Sequence, residues 1–259
     1  MIDDLARLWR FRELLRVLVI RNTKLKYQRS VLGFLWTLLN PLLLISILLA
    51  VFTHVIRIPI ADYWAFLISG YFVFHCIGQT VTASAFVYVE HATMLRSVAL
   101  PVEAPVLAAV MSRFIEYLVE LVLILLLIVI FRHSGLTPSL CLLPLLVVLQ
   151  FLLVLGLSLP VAALSVYYYD VRHMLPILLM GLFYLSPVFY SSQMVPESVR
   201  PFYFLNPVAA IMYLYRIVLY EGTFPSPTAL LLLVLQIGLI LTVGYTIFRR
   251  HKANFAEVI

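Results

Sequence analysis

Three ionisable side chains fall at helical spacing inside an otherwise apolar stretch of the sequence. Arg113, Glu116 and Glu120 stand at positions i, i+3 and i+7, which puts them on one face of a helix. A charge at the centre of a membrane helix costs about 2.5–3.5 kcal/mol on insertion scales, so this face should meet protein or water and not lipid. The pattern favours an ion-pair cluster that transmits movement between helices, and it leaves a proton relay open.

Asp170 and Arg172 form a second charged pair, immediately before another apolar stretch. Taken by themselves, these two residues indicate simple capping of a helix end. Asp170 together with His173 is also the one modest acid–base pair that could support catalysis at a membrane face.

No other pattern typical of chemistry is present. The chain has no G-x-x-x-x-G-K-[ST] or G-x-G-x-x-G loop for phosphates, no H-E-x-x-H metal motif and no G-x-S-x-G nucleophile. Cys76 and Cys141 lie in apolar stretches without metal-ligand spacing, which predicts neither a disulfide nor zinc. We therefore predict no catalytic residue, no metal and no cofactor bound by this chain.

The composition excludes a soluble protein. Of 259 residues, 64% are hydrophobic and 12% charged, and the mean hydropathy is +1.07, whereas soluble chains are about 45–50% apolar and about 25% charged. The net charge of +6 could suggest nucleic acid, but eight of the 18 Lys and Arg precede the first long apolar stretch, as membrane topology signals do. An integral membrane protein without a nucleic-acid partner is expected.

Six stretches are long enough for a membrane helix of about 20 residues. They are 30–56, 63–89, about 105–131, 133–169, 173–196 and 222–248. Strand-like alternation over about ten residues is absent, which argues against a barrel. The predicted fold class is therefore an all-α integral membrane protein with six transmembrane helices. Ser186–Pro187 is expected to loosen the fifth of them.

The distribution of Lys and Arg predicts that both termini are cytoplasmic. With the N-terminus inside, fourteen of these residues fall in inside segments and four in outside segments. The first apolar stretch begins after Arg29, is too long for the apolar part of a signal peptide and is followed by no A-x-A-like site. The N-terminus is therefore expected to be retained.

A single transmembrane domain, 1–259, is expected to divide into four parts. Residues 1–29 should form an amphipathic helix at the cytoplasmic interface, because apolar residues recur there at helical spacing. Residues 30–190 hold helices one to five, and residues 228–259 hold helix six and a cytoplasmic tail. Residues 191–227 should form an outer re-entrant region of short helices, with an interfacial amphipathic helix as the alternative.

Three blocks of sequence resemble one family of membrane proteins. They are K-Y-Q-R-S-V-L-G-F-L-W from Lys26 with Asn40–Pro41 after it, Tyr169–His173, and Leu185–Tyr190 followed by Met194–Glu197 and Leu205–Pro207. In this order they resemble the permease subunits of ABC exporters that move polysaccharides, a family that includes O-antigen, capsule and teichoic-acid exporters. One departure is Lys26, where Arg is expected as often, and either side chain can anchor at the interface.

The resemblance implies a channel-forming subunit that exports a lipid-linked polysaccharide across the bacterial inner membrane. It implies a second copy of the chain and two ATPase subunits that bind ATP and Mg²⁺, with membrane lipid around them. It also implies that Asp170 and Arg172 are structural gate residues or coupling contacts. Coupling to the ATPase is expected in the inside loop 88–103, at Glu90, His91, Met94, Leu95 and Arg96. A solvated connection is the alternative for this loop.

Aromatic side chains are the expected lining of a polysaccharide path. Rings stack on the apolar faces of sugars without a fixed hydrogen-bond pattern. The candidates are Phe34, Trp36, Phe183, Tyr184, Phe189, Tyr190, Phe202 and Tyr203. The alternative for any one of them is the aromatic belt of a membrane interface.

Two other functions remain compatible with the residues. One is a permease of the same architecture that exports a small hydrophobic cargo. The other is an integral membrane enzyme that acts on lipid-linked sugars, for which Asp170 and His173 are the candidates.

Overall fold

The computed structural model describes residues 11–28, 30–97, 101–131, 137–199, 203–252 and 255. All regular structure within these ranges is helical, which confirms the all-α fold. In chain order the main helices are α1 (Arg12–Tyr27), α2 (Gly33–Val55), α3 (Tyr63–Glu90), α4 (Ala92–Ser97), α5 (Glu103–Phe131), α6 (Pro138–Tyr167), α7 (Asp170–Tyr184), α8 (Pro207–Arg216) and α9 (Pro227–Lys252). A short 3-10 helix at Ser192–Met194 and a π-helical turn at Ile217–Glu221 also lie within the described ranges.

Five helices are long and apolar enough to cross a membrane, namely α2, α3, α5, α6 and α9. They correspond to predicted helices one, two, three, four and six, so the chain is a multi-pass membrane protein. The predicted fifth helix is α7, which is helical over 15 residues, or about 22 Å.

The expectation that Ser186–Pro187 loosens a continuing helix was wrong, because α7 ends at Tyr184 and both residues lie in the turn beyond it. A proline disfavours helical backbone at the residue before it, so the helix stops ahead of the pair. The segment 185–191 therefore leaves the helix as irregular backbone.

Helix α3 is the centre of the bundle. It packs against α2, α5, α6, α7 and α8, and most of its residues are buried. Helix α1 packs on α5, where Leu18 and Val19 lie against Ala108. Part of the apolar stripe of α1 is thus covered by protein. Helix α7 contributes a single buried residue, Leu175.

Helices α6 and α9 cross closely at two glycines. A Cβ atom at Gly156 would lie 2.9 Å from Ile240 Cγ2 and 3.1 Å from Leu241 N, and one at Gly244 would overlap the carbonyl oxygen of Gly156. Small residues allow membrane helices to approach until their backbones touch, which is how such helices gain packing energy in lipid.

Gly244→Ala should destabilise the protein by about 1–3 kcal/mol, because the added methyl group meets backbone that cannot move aside without separating the helices. Gly238→Ala is the matched control on the same helix, since no atom beyond the adjoining backbone of its own helix lies within 4 Å of its Cβ position. Thermal unfolding of both variants in detergent measures the difference. Equal midpoints would show that this crossing tolerates the methyl group.

Candidate functional site

Aromatic side chains beyond α7 form a connected cluster, and Phe189 lies at its centre. Its ring stacks on Phe52 of α2 with 5.0 Å between the centroids. The rings of Phe183, Tyr184 and Tyr190 lie 5.8, 5.8 and 5.1 Å from it. Residues from the end of α2, from α7 and from the following turn therefore meet at one place.

The ring contacts continue from this centre to α8. Tyr190 lies 6.3 Å from Tyr203, and the Tyr203 hydroxyl donates a 2.6 Å hydrogen bond to the Tyr190 hydroxyl. Phe204 follows at 6.1 Å from Tyr203, and Tyr213 of α8 lies 5.1 Å from Phe204. We call the rings of residues 52, 183, 184, 189, 190, 203, 204 and 213 the aromatic chain.

The structure brings together five of the eight predicted path residues, namely Phe183, Tyr184, Phe189, Tyr190 and Tyr203. Phe34 and Trp36 are exposed near the start of α2, about 24 Å along that helix from its contact with the aromatic chain. Phe202 lies outside the described residues.

The turn after α7 has polar partners for its buried backbone. Ser186 and Val188 are fully buried. Asn206 donates through Nδ2 to Ser186 Oγ at 3.1 Å and accepts through Oδ1 from Val208 N, which also caps the start of α8. Irregular backbone survives at membrane depth only when protein groups replace water, and side chains of Tyr63 and Arg216 donate to backbone carbonyls of this turn.

The charged face of α5 meets protein on two sides. Glu116 is 6% exposed and accepts from Lys26 Nζ of α1 at 2.7 Å and from Arg113 Nη1 at 3.2 Å. Burial lowers the pKa of Lys26, the neighbouring Arg113 lowers it further, and the hydrogen bond to Glu116 acts in the opposite direction. We call Lys26, Arg113 and Glu116 the α1–α5 ion-pair cluster.

Glu120 lies one turn further along the same face and pairs with a different helix. Its Oε1 lies 3.4 Å from His75 Nδ1 of α3, and the His75 ring stacks on Tyr71 at 5.8 Å. The Oε2 of Glu120 is buried without a hydrogen-bond partner. The charged face of α5 thus contacts α1 and α3.

The predicted coupling residues occupy the end of α3 and the short helix α4. Glu90 is exposed, but His91 is 4% exposed and bonds through Nδ1 to Val87 O at 2.9 Å. Met94 packs with α1, and Leu95 packs against the main core. The side chain of Arg96 lies outside the described part. Among the four predicted coupling residues whose side chains are described, Glu90 is the exposed one.

Asp170 and Arg172 do not form an ion pair with each other. Asp170 is exposed in the first turn of α7, where a carboxylate interacts favourably with the helix dipole. Arg172 donates through Nη2 to Ser165 O at 2.7 Å and lies 5.2 Å from the Tyr169 ring centre. Arg172 therefore connects the end of α6 to the start of α7.

A cavity of about 350 Å³ opens where α1 meets the ends of α3 and α5. Its lining mixes both signs of charge, with Arg21, Lys26, Arg113, Glu90 and Glu116. No group of three His, Cys, Asp or Glu side chains that could hold a metal ion occurs in the part of the chain that the structure describes.

Comparison with known proteins identifies the class to which this architecture belongs. The family model of the ABC-2 type transporter matches residues 13–220. An O-antigen export system permease protein RfbA of Klebsiella pneumoniae is 30% identical over 252 residues, or 95% of each chain. A protein of the same name from Myxococcus xanthus is 30% identical over 263 residues, or 100% of each chain.

The match covers the helices that carry both the aromatic chain and the α1–α5 ion-pair cluster. Proteins of this class are transport permeases, not enzymes, and they work with separate ATPase subunits. Because the family model matches most of its length, this chain belongs to the ABC-2 type transporter membrane family.

Proposed function

We propose that the chain is the channel-forming subunit of an ATP-driven exporter that moves a lipid-linked polysaccharide, such as O-antigen or capsule, out of the cytoplasm across the inner membrane. The aromatic chain is the observation that carries the proposal. Its rings offer successive stacking surfaces that tolerate different sugars, as a sliding polymer requires. The two relatives named as O-antigen permeases support the choice of substrate.

The chain crosses the membrane six times, with α7 as the fifth crossing and both termini in the cytoplasm. A 15-residue helix is short for the bilayer core of about 30 Å, and the buried turn 185–191 completes the crossing. Helix α8 is re-entrant. Its buried residues face the bundle, and it begins at the Asn206 cap. Helix α1 lies along the cytoplasmic interface against α5.

A second copy of the chain completes the path. Helix α7 leaves Ile177, Leu178 and Met180 exposed and buries one residue, so a single protomer covers one side of the aromatic chain only. Two ATPase subunits bind ATP and Mg²⁺ and contact the cytoplasmic face at α1 and Glu90. His91, Met94 and Leu95 pack inward, so they hold the contact surface at the end of α3 and at α4 in a fixed position.

Deletion of the gene tests the function directly. Surface polysaccharide should disappear while lipid-linked polysaccharide accumulates inside the cell, and a plasmid copy should restore export. The purified chain should hydrolyse no ATP until its ATPase subunits are added. Surface polysaccharide at the normal level in the deletion strain would refute the proposal, as would ATP hydrolysis by the chain alone.

A further inference from the structure

Arg216, at the end of α8, is 4% exposed and reaches across to the turn after α7. Its Nη2 donates a 2.6 Å hydrogen bond to Val188 O, and its Nη1 lies 3.5 Å from Tyr190 O. Its Nε donates to Phe66 O of α3 at 3.4 Å. One guanidinium group thus joins three separate segments of the chain.

The carbonyl between the two that Arg216 contacts also has a side-chain donor. The Tyr63 hydroxyl donates to Phe189 O at 2.8 Å. Three consecutive carbonyls, at residues 188, 189 and 190, are therefore contacted by side chains from α3 and α8. These residues include the centre of the aromatic chain, so the contacts fix the backbone from which the Phe189 and Tyr190 rings project.

The site is built around the shape of an arginine. The guanidinium carbon lies 3.6 Å from the centre of the Phe66 ring, a cation–π contact. On α3, a Cβ atom at Gly70 would lie 2.7 Å from Arg216 Nη2. The planar guanidinium stacks on this ring and has donors on several edges. A lysine ammonium cannot stack on the ring and also reach the carbonyls of Phe66, Val188 and Tyr190.

We propose that Arg216 is a positioning residue for polysaccharide export, which holds residues 188–190 so that the Phe189 and Tyr190 rings stay in the aromatic chain. The proposal rests on the proposed function for its role in export. It goes further by assigning a role to a cation that touches no substrate. Tyr63 is the weaker partner in the same role, because it supplies one neutral hydrogen bond.

Reactivity of a cysteine in the turn tests whether Arg216 holds it. Val188 is fully buried, so Val188→Cys should react slowly with a membrane-impermeant maleimide in the assembled transporter. Adding Arg216→Met should raise its labelling rate about tenfold, because the strongest bond to that carbonyl is lost. Adding Tyr63→Phe instead should raise it roughly threefold, because one neutral bond is lost and the ring is kept.

Two native cysteines supply the controls within the same sample. Cys141 is exposed and should label at one rate in every variant, and Cys76 is buried and should stay unlabelled. Peptide mass spectrometry separates the three positions. Labelling of Cys76 in the Arg216→Met variant would overturn the proposal, because Arg216 would then support the whole fold. Continued protection of Val188→Cys would overturn it as well.

Export is measured on Arg216→Met without the reporter cysteine. Surface polysaccharide should fall about tenfold at an unchanged amount of transporter in the membrane. If the turn is released and export is unchanged, the positioning role is refuted. Failure of the proposed function itself looks different, since the unaltered chain would then export no polysaccharide while the labelling rates still differed between variants.

Discussion

Replacing Tyr184, Phe189 and Tyr190 together by alanine should reduce surface polysaccharide about a hundredfold, because stacking on an aromatic side chain is worth about 1–3 kcal/mol for each ring. These three rings form the middle of the aromatic chain. The Phe189 centroid lies 5.8 Å from that of Tyr184 and 5.1 Å from that of Tyr190. Without them the stacking surface is interrupted between α7 and α8.

Two matched variants separate loss of stacking from loss of structure. Tyr184→Phe with Tyr190→Phe keeps every ring and removes the two hydrogen bonds of the Tyr190 hydroxyl, one donated to Tyr184 O and one accepted from the Tyr203 hydroxyl. Export should stay near normal, because the stacking surfaces remain. Alanine at Leu232, Leu235 and Leu239, which are exposed on α9, removes apolar volume without removing a ring. Surface polysaccharide and membrane levels are measured for each.

The result also decides between two kinds of cargo. A permease for small hydrophobic molecules exports no polysaccharide, so surface polysaccharide should then be the same in the aromatic, phenylalanine and leucine variants. Unchanged surface polysaccharide in the aromatic variant, at a normal amount of the transporter in the membrane, would show that these rings do not line the path.

The sequence predicted four of the five long helices because each is a charge-free apolar stretch of sufficient length. It predicted α5 because three charges at helical spacing interrupt an otherwise apolar stretch. It predicted α7 less well. Residues 173–196 carry no charge, and nothing in hydropathy distinguishes a helix from a buried turn. The turn is stable because Asn206, Tyr63 and Arg216 supply its hydrogen bonds, and these residues are distant in the sequence.

The sequence predicts only part of the candidate site, because residues that are distant in the sequence complete it. Aromatic residues near 183–190 stand out by type, but Phe52 joins them only because the end of α2 meets the turn. Arg216 is one of the four Lys and Arg that the charge distribution assigns to outside segments, and it falls in the predicted re-entrant region 191–227. A lone arginine among apolar residues is itself a signal, because a buried charge needs dedicated partners. The inward orientation of His91 depends on packing that no local pattern reveals.

Glu116 is the shared partner in the α1–α5 ion-pair cluster, so its removal should destabilise the protein strongly. Glu116→Ala leaves Lys26 and Arg113 facing each other without the carboxylate that both contact. Removing one member of a buried ion pair typically costs about 3–5 kcal/mol. The lower value of about 3 kcal/mol is expected here, because water screens the Lys26 side chain, which is 34% exposed.

Thermal unfolding of the assembled transporter measures this loss. Lys26→Met is the milder comparison, since Arg113 still neutralises Glu116 at 3.2 Å and the removed group is the more exposed one. An unfolding midpoint of Glu116→Ala equal to that of Lys26→Met would contradict the central position assigned to Glu116.

Replacing all three charges by apolar residues of similar size distinguishes a stabilising cluster from a transmitting one. K26M, R113M and E116L together leave no unpaired charge in the cluster, and such replacements are often neutral or stabilising. Stability should therefore return to near the original value.

Export should not return. The substituted side chains would join α1 and α5 by apolar packing, which is not directional, whereas the ion pairs hold α1 in one register on α5. Recovery of both stability and export would show that the cluster serves only to hold the two helices together.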